Sequence, residues 1–178
     1  MNWRSAREAE LSQEPSYPPN AIHMMRTTQL AHVQYSAMAD HKASILMGAT
    51  FVIFTITVSQ ARGDAGAPIA LLILGGFAFL SACCAVVAVL PAIRVPKDVP
   101  LNLLFFGSFT QLGEEEFIDR ITARLASDDL IYRTMAEDIY QNGRILQRKK
   151  YRMLGWAYRI FLVGLVASAA AFIWDYWL

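Results

Sequence analysis

Three stretches of this chain are almost free of charge, at residues 43–60, 65–93 and 160–174. They constrain the fold more than any other feature. A helix rises 1.5 Å per residue, so about 20 apolar residues cross a hydrocarbon core of about 30 Å. The second stretch is long enough by itself. The first and third cross if Lys42 and Arg159 extend their charged ends toward the headgroups. Composition agrees: 55% of the residues are hydrophobic and 17% charged, against roughly 25% charged in an average soluble domain. The pattern predicts an all-α integral membrane protein with three transmembrane helices and a helical module between the second and third.

The net charge of +1 conceals an asymmetry. Of 16 Lys and Arg, only Arg62 lies between the first two spans, whereas ten lie between Arg94 and Arg152. Arg4, Arg7, Arg26 and Lys42 precede the first span, and Arg159 begins the third. Positive charge stays on the cytoplasmic side, so the N-terminus and the middle segment are expected there and the C-terminus outside. Trp174, Tyr176 and Trp177 suit an outer aromatic belt. The expected divisions are a flexible tail (1–21), a cytosolic helix (22–42), spans at 43–60, 68–91 and 155–177, an external turn (61–67), and a cytosolic sensor module (92–154). The first forty residues lack the apolar core of a cleaved signal peptide, so the first span reads as an uncleaved signal anchor.

Residues 22–42 contain no Pro or Gly and are expected to run as a helix into the first span, with His32, Ser36 and Asp40 on one face. Thr55 and Thr57 can bond back to carbonyls of their own helix. Gly75, Gly76, Ala78, Ala82 and Ala85 in the second span, and Gly164 with Ser168 in the third, would let backbones approach closely. Pro91, Pro96 and Pro100 are expected to end the second helix. In the middle segment, Glu114, Glu115 and Glu116 read as a first helical turn meeting the positive dipole end. Phe117, Ile121 and Leu125 read as that helix's apolar face, and Ser127 as the N-cap of another. Ile131, Met135, Ile139, Leu146 and Leu154 form an irregular stripe interrupted at Gly143 and Gly155. If continuous, that helix would extend roughly 40 Å before reaching the bilayer.

The sequence carries no phosphate-cradling glycine loop, zinc spacing or nucleophile elbow. Adjacent Cys83 and Cys84 point to different sides of a helix and read as small packing residues. The expectation is a protein without catalysis, metal or resident cofactor. Arg144, Arg148, Lys149, Lys150 and Arg152 crowd the approach to the third span, where they serve topology and attract anionic lipid. Lys42 has the same simple explanation. Asp40 does not, because acids contribute little to orientation; it needs a partner, and Lys150 or Lys149 would lie at similar depth. Asp138 has no local explanation beyond a solvated helix face.

Four blocks, "ADHKASIL", "NLLFFGSF", "EEFIDRI" and "DIYQNGRILQRKKYRMLGWAYRIFLVG", closely resemble the transmembrane (PycTM-like) effectors of Pycsar, bacterial antiphage systems built around a pyrimidine cyclase. The resemblance runs from about Leu30 to Gly164. Asp40, Lys42 and Ala43 match its first block; Asn102, Phe105, Phe106 and Gly107 the second; Phe117 the third. Asp138, Gly143, Lys150, Tyr151, Ala157, Tyr158 and Phe161 match the last, and His41 departs at a variable position. Related blocks occur fused to HD-type phosphohydrolase domains; here none is seen. The resemblance implies a stand-alone effector in the bacterial inner membrane; a homo-oligomer is expected because three helices are few for a pore within one chain. It would be activated by cyclic UMP or cyclic CMP from a partner cyclase, with no nucleic-acid partner, and would then impair the membrane to abort infection. Lys150, Lys42 or a nearby Arg could take the phosphate. Phe106 or Tyr151 could stack the base, and Asp138 or Asn102 could read its edge. A bland alternative for Asp40 and Asp138 is pairing with Lys and Arg to lock helices. The alternative for the whole chain is a non-gated membrane anchor for a cytosolic partner. A transporter fits poorly, since no span carries a central charge or midplane break.

Overall fold

The computed structural model describes residues 16–63, 66–90 and 100–177. Pro91, Pro96, most of the N-terminal tail, part of the 61–67 turn and the Tyr176 side chain lie outside the described residues. Among those described, every regular element is helical: α1 (Ala21–Ala61), α2 (Ile69–Val89), α3 (Phe106–Phe109), α4 (Glu114–Arg124), α5 (Asp128–Ile145), a π-helical turn (Leu146–Tyr151) and α6 (Arg152–Trp177). Three helical runs are long and apolar enough to cross a membrane: α1, α2 and the run through residues 128–175.

Two compact units form. One comprises the chain up to His32 with Ala92–Gly143, the other Val33–Pro91 with Arg144–Leu178. The second is a helix bundle with a core of small side chains. Ala39, Ala43, Leu46, Ala85, Ala88, Leu154 and Ala157 form the buried cluster, with Met47, Cys84, Met153 and Phe161 packed on it. The bulky residues face outward: Phe51, Phe54, Phe79, Leu80, Leu162, Val166 and Phe172 are all exposed. Only 22%, 28% and 11% of the three apolar windows is buried inside the chain, so most of that surface is left for lipid. Lipid tails are as apolar as leucine, and burying large side chains between helices therefore gains little. Close backbone packing and interhelical hydrogen bonds hold such helices together.

On α1, Ala43, Thr50 and Thr57 recur every seven residues along the buried seam. Thr50 and Thr57 donate to carbonyls of their own helix, at 2.8 Å to Leu46 O and Ile53 O, so burial leaves neither hydroxyl unmet. Between α2 and α6, Ser81 Oγ donates to Ala157 O and Ser168 Oγ to Ala70 O, each at 2.7 Å. Gly75 lies against Thr57, and Gly164 is so close to Phe77 that a Cβ there would overlap it. Gly76, by contrast, faces open space. Ser81→Ala removes one interhelical bond without creating a clash. We expect a loss of about 0.6 kcal/mol, and at most about 1.7, in unfolding titrations from mixed micelles.

In the other unit, short-range chemistry sets the helix ends. The three glutamates open α4 and Arg124 closes it, each at the dipole end that favours its charge. Leu130 N–H reaches Ser127 Oγ at 3.4 Å, the cap that opens α5. Phe109 and Phe117 stack at 4.8 Å between centroids. Leu125 departs from expectation: it follows the last residue of α4, its N–H still bonds to Ile121 O, and it is 61% exposed.

Candidate functional site

Asp138 is the polar centre of the first unit. It is 6% exposed and accepts three side-chain amides: Asn102 Nδ2 at 3.0 Å and Asn142 Nδ2 at 2.7 Å on Oδ1, and Gln29 Nε2 at 2.8 Å on Oδ2. The orientation of the Asn102 amide is fixed independently. Its Oδ1 accepts the N–H groups of Leu104 (2.9 Å) and Phe105 (3.2 Å), a local turn of the kind asparagine favours. Its own N–H donates to Ser108 Oγ at 2.9 Å, tying the turn to α3. One asparagine thus shapes the loop and presents its amide to the carboxylate. The anticipated pairing of Asp138 with Lys or Arg is not what holds it. Among the described residues its partners are neutral amides, since the elements around it supply Gln and Asn there. Such a carboxylate is acceptor-only, and each amide bond to it is charge-assisted.

His32 lies one helical turn beyond Gln29. Its Nδ1 is buried without a hydrogen-bond partner among the described residues. A Cβ at Gly143 would sit 3.3 Å from His32 Cε1, so this glycine makes room for the ring and does not interrupt the helix. Phe106 is 63% exposed, with its ring 5.1 Å from that of Phe105, and keeps a free aromatic face. At the edge of the unit, Tyr17 donates its hydroxyl to Asp129 Oδ1 at 2.7 Å. That bond is the main cause raising the Tyr17 pKa above its ordinary value.

In the bundle, Lys150 meets three acceptors with its three donors: Asp40 Oδ1, Asp40 Oδ2 and Ser36 Oγ, all at 2.7 Å. The Lys150 side chain is 19% exposed and that of Asp40 is 40%, so the pair sits half in solvent. The π-helical turn sets the phase. Arg152 N–H bonds back to Gln147 O, five residues earlier, which widens the helix. Three successive residues then reach different partners. Lys149 Nζ donates to Leu90 O at 2.8 Å, at the C-terminal end of α2 where a cation suits the dipole. Lys150 takes Asp40, and Tyr151 OH donates to Tyr35 O at 3.3 Å. Tyr158 OH donates to Lys42 O at 3.2 Å, while Lys42 is exposed.

The seven sequence candidates therefore divide. Asn102 and Asp138 meet in one unit, with Phe106 exposed in the same unit. Asp40 and Lys150 meet in the bundle, where Lys42 and Tyr151 act locally. Sequence reasoning missed Gln29, Asn142 and Ser108, and placed Ser36 on the right face without giving it a role. A signal was present. Gln29, His32, Ser36 and Asp40 fall on one side of α1 at helical spacing, and Asn142 is one turn from Asp138.

A family model described as the Pycsar effector protein domain matches residues 23–174. Searches of curated proteins and of solved structures each found no match.

Proposed function

The chain belongs to the Pycsar effector protein family, and from that premise we propose that it is the membrane effector of a bacterial antiphage system. The activating ligand is a cyclic pyrimidine mononucleotide, cyclic UMP or cyclic CMP, made by a partner cyclase that the effector need not touch. Once activated, the helices impair the inner membrane and the infected cell dies before phage mature. The carrying observation is the family match, which covers the cluster around Asp138 and all three apolar helices. Basic residues crowd the approach to α6 and are nearly absent from the 61–67 turn, which supports a cytoplasmic N-terminus and an external C-terminus. Three helices are few to enclose a pore, so action as a homo-oligomer follows. No catalytic step and no resident cofactor enter this reading.

The unit with Asn102, Phe106 and Asp138 is the sensing part. An exposed Phe106 ring can stack a base at roughly 1–3 kcal/mol. Asp138 and Asn102 read the base edge only by exchanging bonds they already make. Lys150 is poorly suited to hold a phosphate, since its donors are all engaged within the bundle. Asp40 and Lys150 are assigned to coupling, as a contact that sets the position of α6 against α1.

The test is expression in bacteria with and without cyclic UMP or cyclic CMP, following membrane potential with a dye. Depolarisation only with nucleotide is expected. Toxicity indifferent to both nucleotides overturns the gating and leaves a non-gated anchor. Asp40→Asn and Lys150→Ala should each shift the nucleotide dose for depolarisation several-fold or abolish the response while the protein still reaches the membrane. An unchanged dose for both variants would reduce the pair to helix packing.

A further inference from the structure

One charged feature of the bundle is absorbed neither by its packing nor by the nucleotide reading. Arg152, Trp156 and Arg159 are all exposed, and their spacing of four and three residues puts them on one face of α6. Arg159 Cζ lies 5.6 Å from the Trp156 ring centroid, within cation–π range. No acidic side chain ion-pairs with either arginine among the described residues. The only described acids in the bundle are Asp40, held by Lys150, and Asp175, at the far end of α6. Arg148 adds a further exposed cation in the π-helical turn. Below the arginines the same face continues as exposed Val163, Val166 and Ile173. The opposite face, Leu154, Ala157 and Gly164, is the one packed in the bundle.

Cations above, an indole between and an apolar strip below reproduce the order of a diacyl phospholipid: phosphate, glycerol ester zone, acyl chain. Guanidinium groups pair with phosphate in a planar, two-bond geometry that an ammonium lacks. Tryptophan favours the depth of the ester groups. We propose that Arg152, Trp156 and Arg159 form a site on α6 for an anionic phospholipid, with the headgroup phosphate on the two arginines and one acyl chain along Val163 and Val166. The site is independent of nucleotide gating and asks nothing of it.

The experiment uses the full chain, purified in detergent and stripped of lipid. It is titrated with phosphatidylglycerol, phosphatidylcholine or inorganic phosphate, reading bound lipid by native mass spectrometry and melting temperature in parallel. Phosphatidylglycerol should be retained and should raise the melting temperature. Phosphatidylcholine should be at least about tenfold weaker, as expected when each arginine contributes roughly 1 kcal/mol to an anionic surface. The double variant Arg152→Gln/Arg159→Gln should abolish that preference, and Trp156→Leu should weaken retention. Arg62→Gln, on a residue outside the site, should change nothing. Equal retention of both lipids by the wild type, or undiminished preference in the double variant, overturns the proposal. So does inorganic phosphate that stabilises as strongly as the lipid, since the acyl strip would then be irrelevant. Exposed arginines can be replaced without opening the core, and a melting temperature unchanged in the absence of lipid verifies this for each variant.

Discussion

Asp138→Ala is expected to lose about 3–5 kcal/mol, enough to unfold the unit that carries it. The carboxylate is buried and accepts three amides. Its removal leaves the buried amide of Asn102 and the half-buried amides of Gln29 and Asn142 without their acceptor. A buried donor without a partner costs about 1–3 kcal/mol, less whatever water can recover at the half-buried ones. The damage extends to the loop before α3, because the amide turned toward Asp138 belongs to the residue whose oxygen holds the Leu104 and Phe105 N–H groups. Asp138→Asn keeps the shape and one acceptor oxygen but turns an NH2 toward at least one amide donor, so a loss of about 1–3 kcal/mol is expected. Hydrogen exchange reads both. Amides in residues 100–143 should lose protection strongly in the alanine variant and partly in the asparagine variant, while those of α2 stay protected. Wild-type protection in Asp138→Ala would mean that the amides find other partners and that the carboxylate is free for another use.

A series of glycine-to-alanine substitutions in the bundle should produce effects that differ in sign. At Gly164 an added methyl overlaps Phe77 Cβ and lies 2.8 Å from its Cγ. A Cβ is fixed to its own backbone, so no rotamer relieves the contact and α2 and α6 must part. Parting them also stretches the bonds from Ser81 to Ala157 and from Ser168 to Ala70. We expect Gly164→Ala to cost about 2 kcal/mol or more. At Gly75 the methyl meets the Thr57 side chain at 2.6 Å. Turning that side chain cannot relieve the contact with Thr57 Cβ at 2.8 Å, so α1 and α2 must also shift. The shift is less than the overlap with Phe77 Cβ demands at Gly164, and the loss should be smaller. Gly76→Ala meets nothing within 4 Å and should be neutral or stabilising, since alanine exceeds glycine by about 1 kcal/mol in a helix interior. Unfolding titrations from mixed micelles, with helicity as readout, test the order. Equal effects at Gly164 and Gly76 would mean that the close approach of α2 and α6 is not maintained in solution.

The two series also mark what could be read in advance. That Gly164 and Ser168 were candidates for a packing face was legible, because small residues one turn apart let helix backbones approach closely, although such residues are common in membrane helices in general. That Ser81 is fully buried and bonds to Ala157 was not. Nothing local separates Ser81 from any serine that bonds back to its own helix, and the choice depends on which helix lies opposite. Gly143 misled in the other direction. It reads as a weak point of a helix, yet it clears space for His32, more than a hundred positions earlier in the chain. Asp138 shows the same limit, with Gln29 109 positions away and Asn102 36.

The sequence by itself determined the helical class, three apolar helices long enough to span a membrane, the acidic start of α4, the Ser127 cap and the need of Asp40 for a basic partner. These follow from the transfer of apolar runs out of water and from bonds made within one or two helical turns, and both are written in local order. Only the tertiary structure decided that Lys150 and not Lys149 meets Asp40. The two lysines are chemically alike and adjacent, about 100° apart around a helix, and the π-helical turn at Leu146–Tyr151 settles which one points to α1. It also decided that Asp138 rests on amides and not on a cation. A carboxylate's sequence neighbours show that it must be satisfied, while the identity of its partners depends on how distant segments pack.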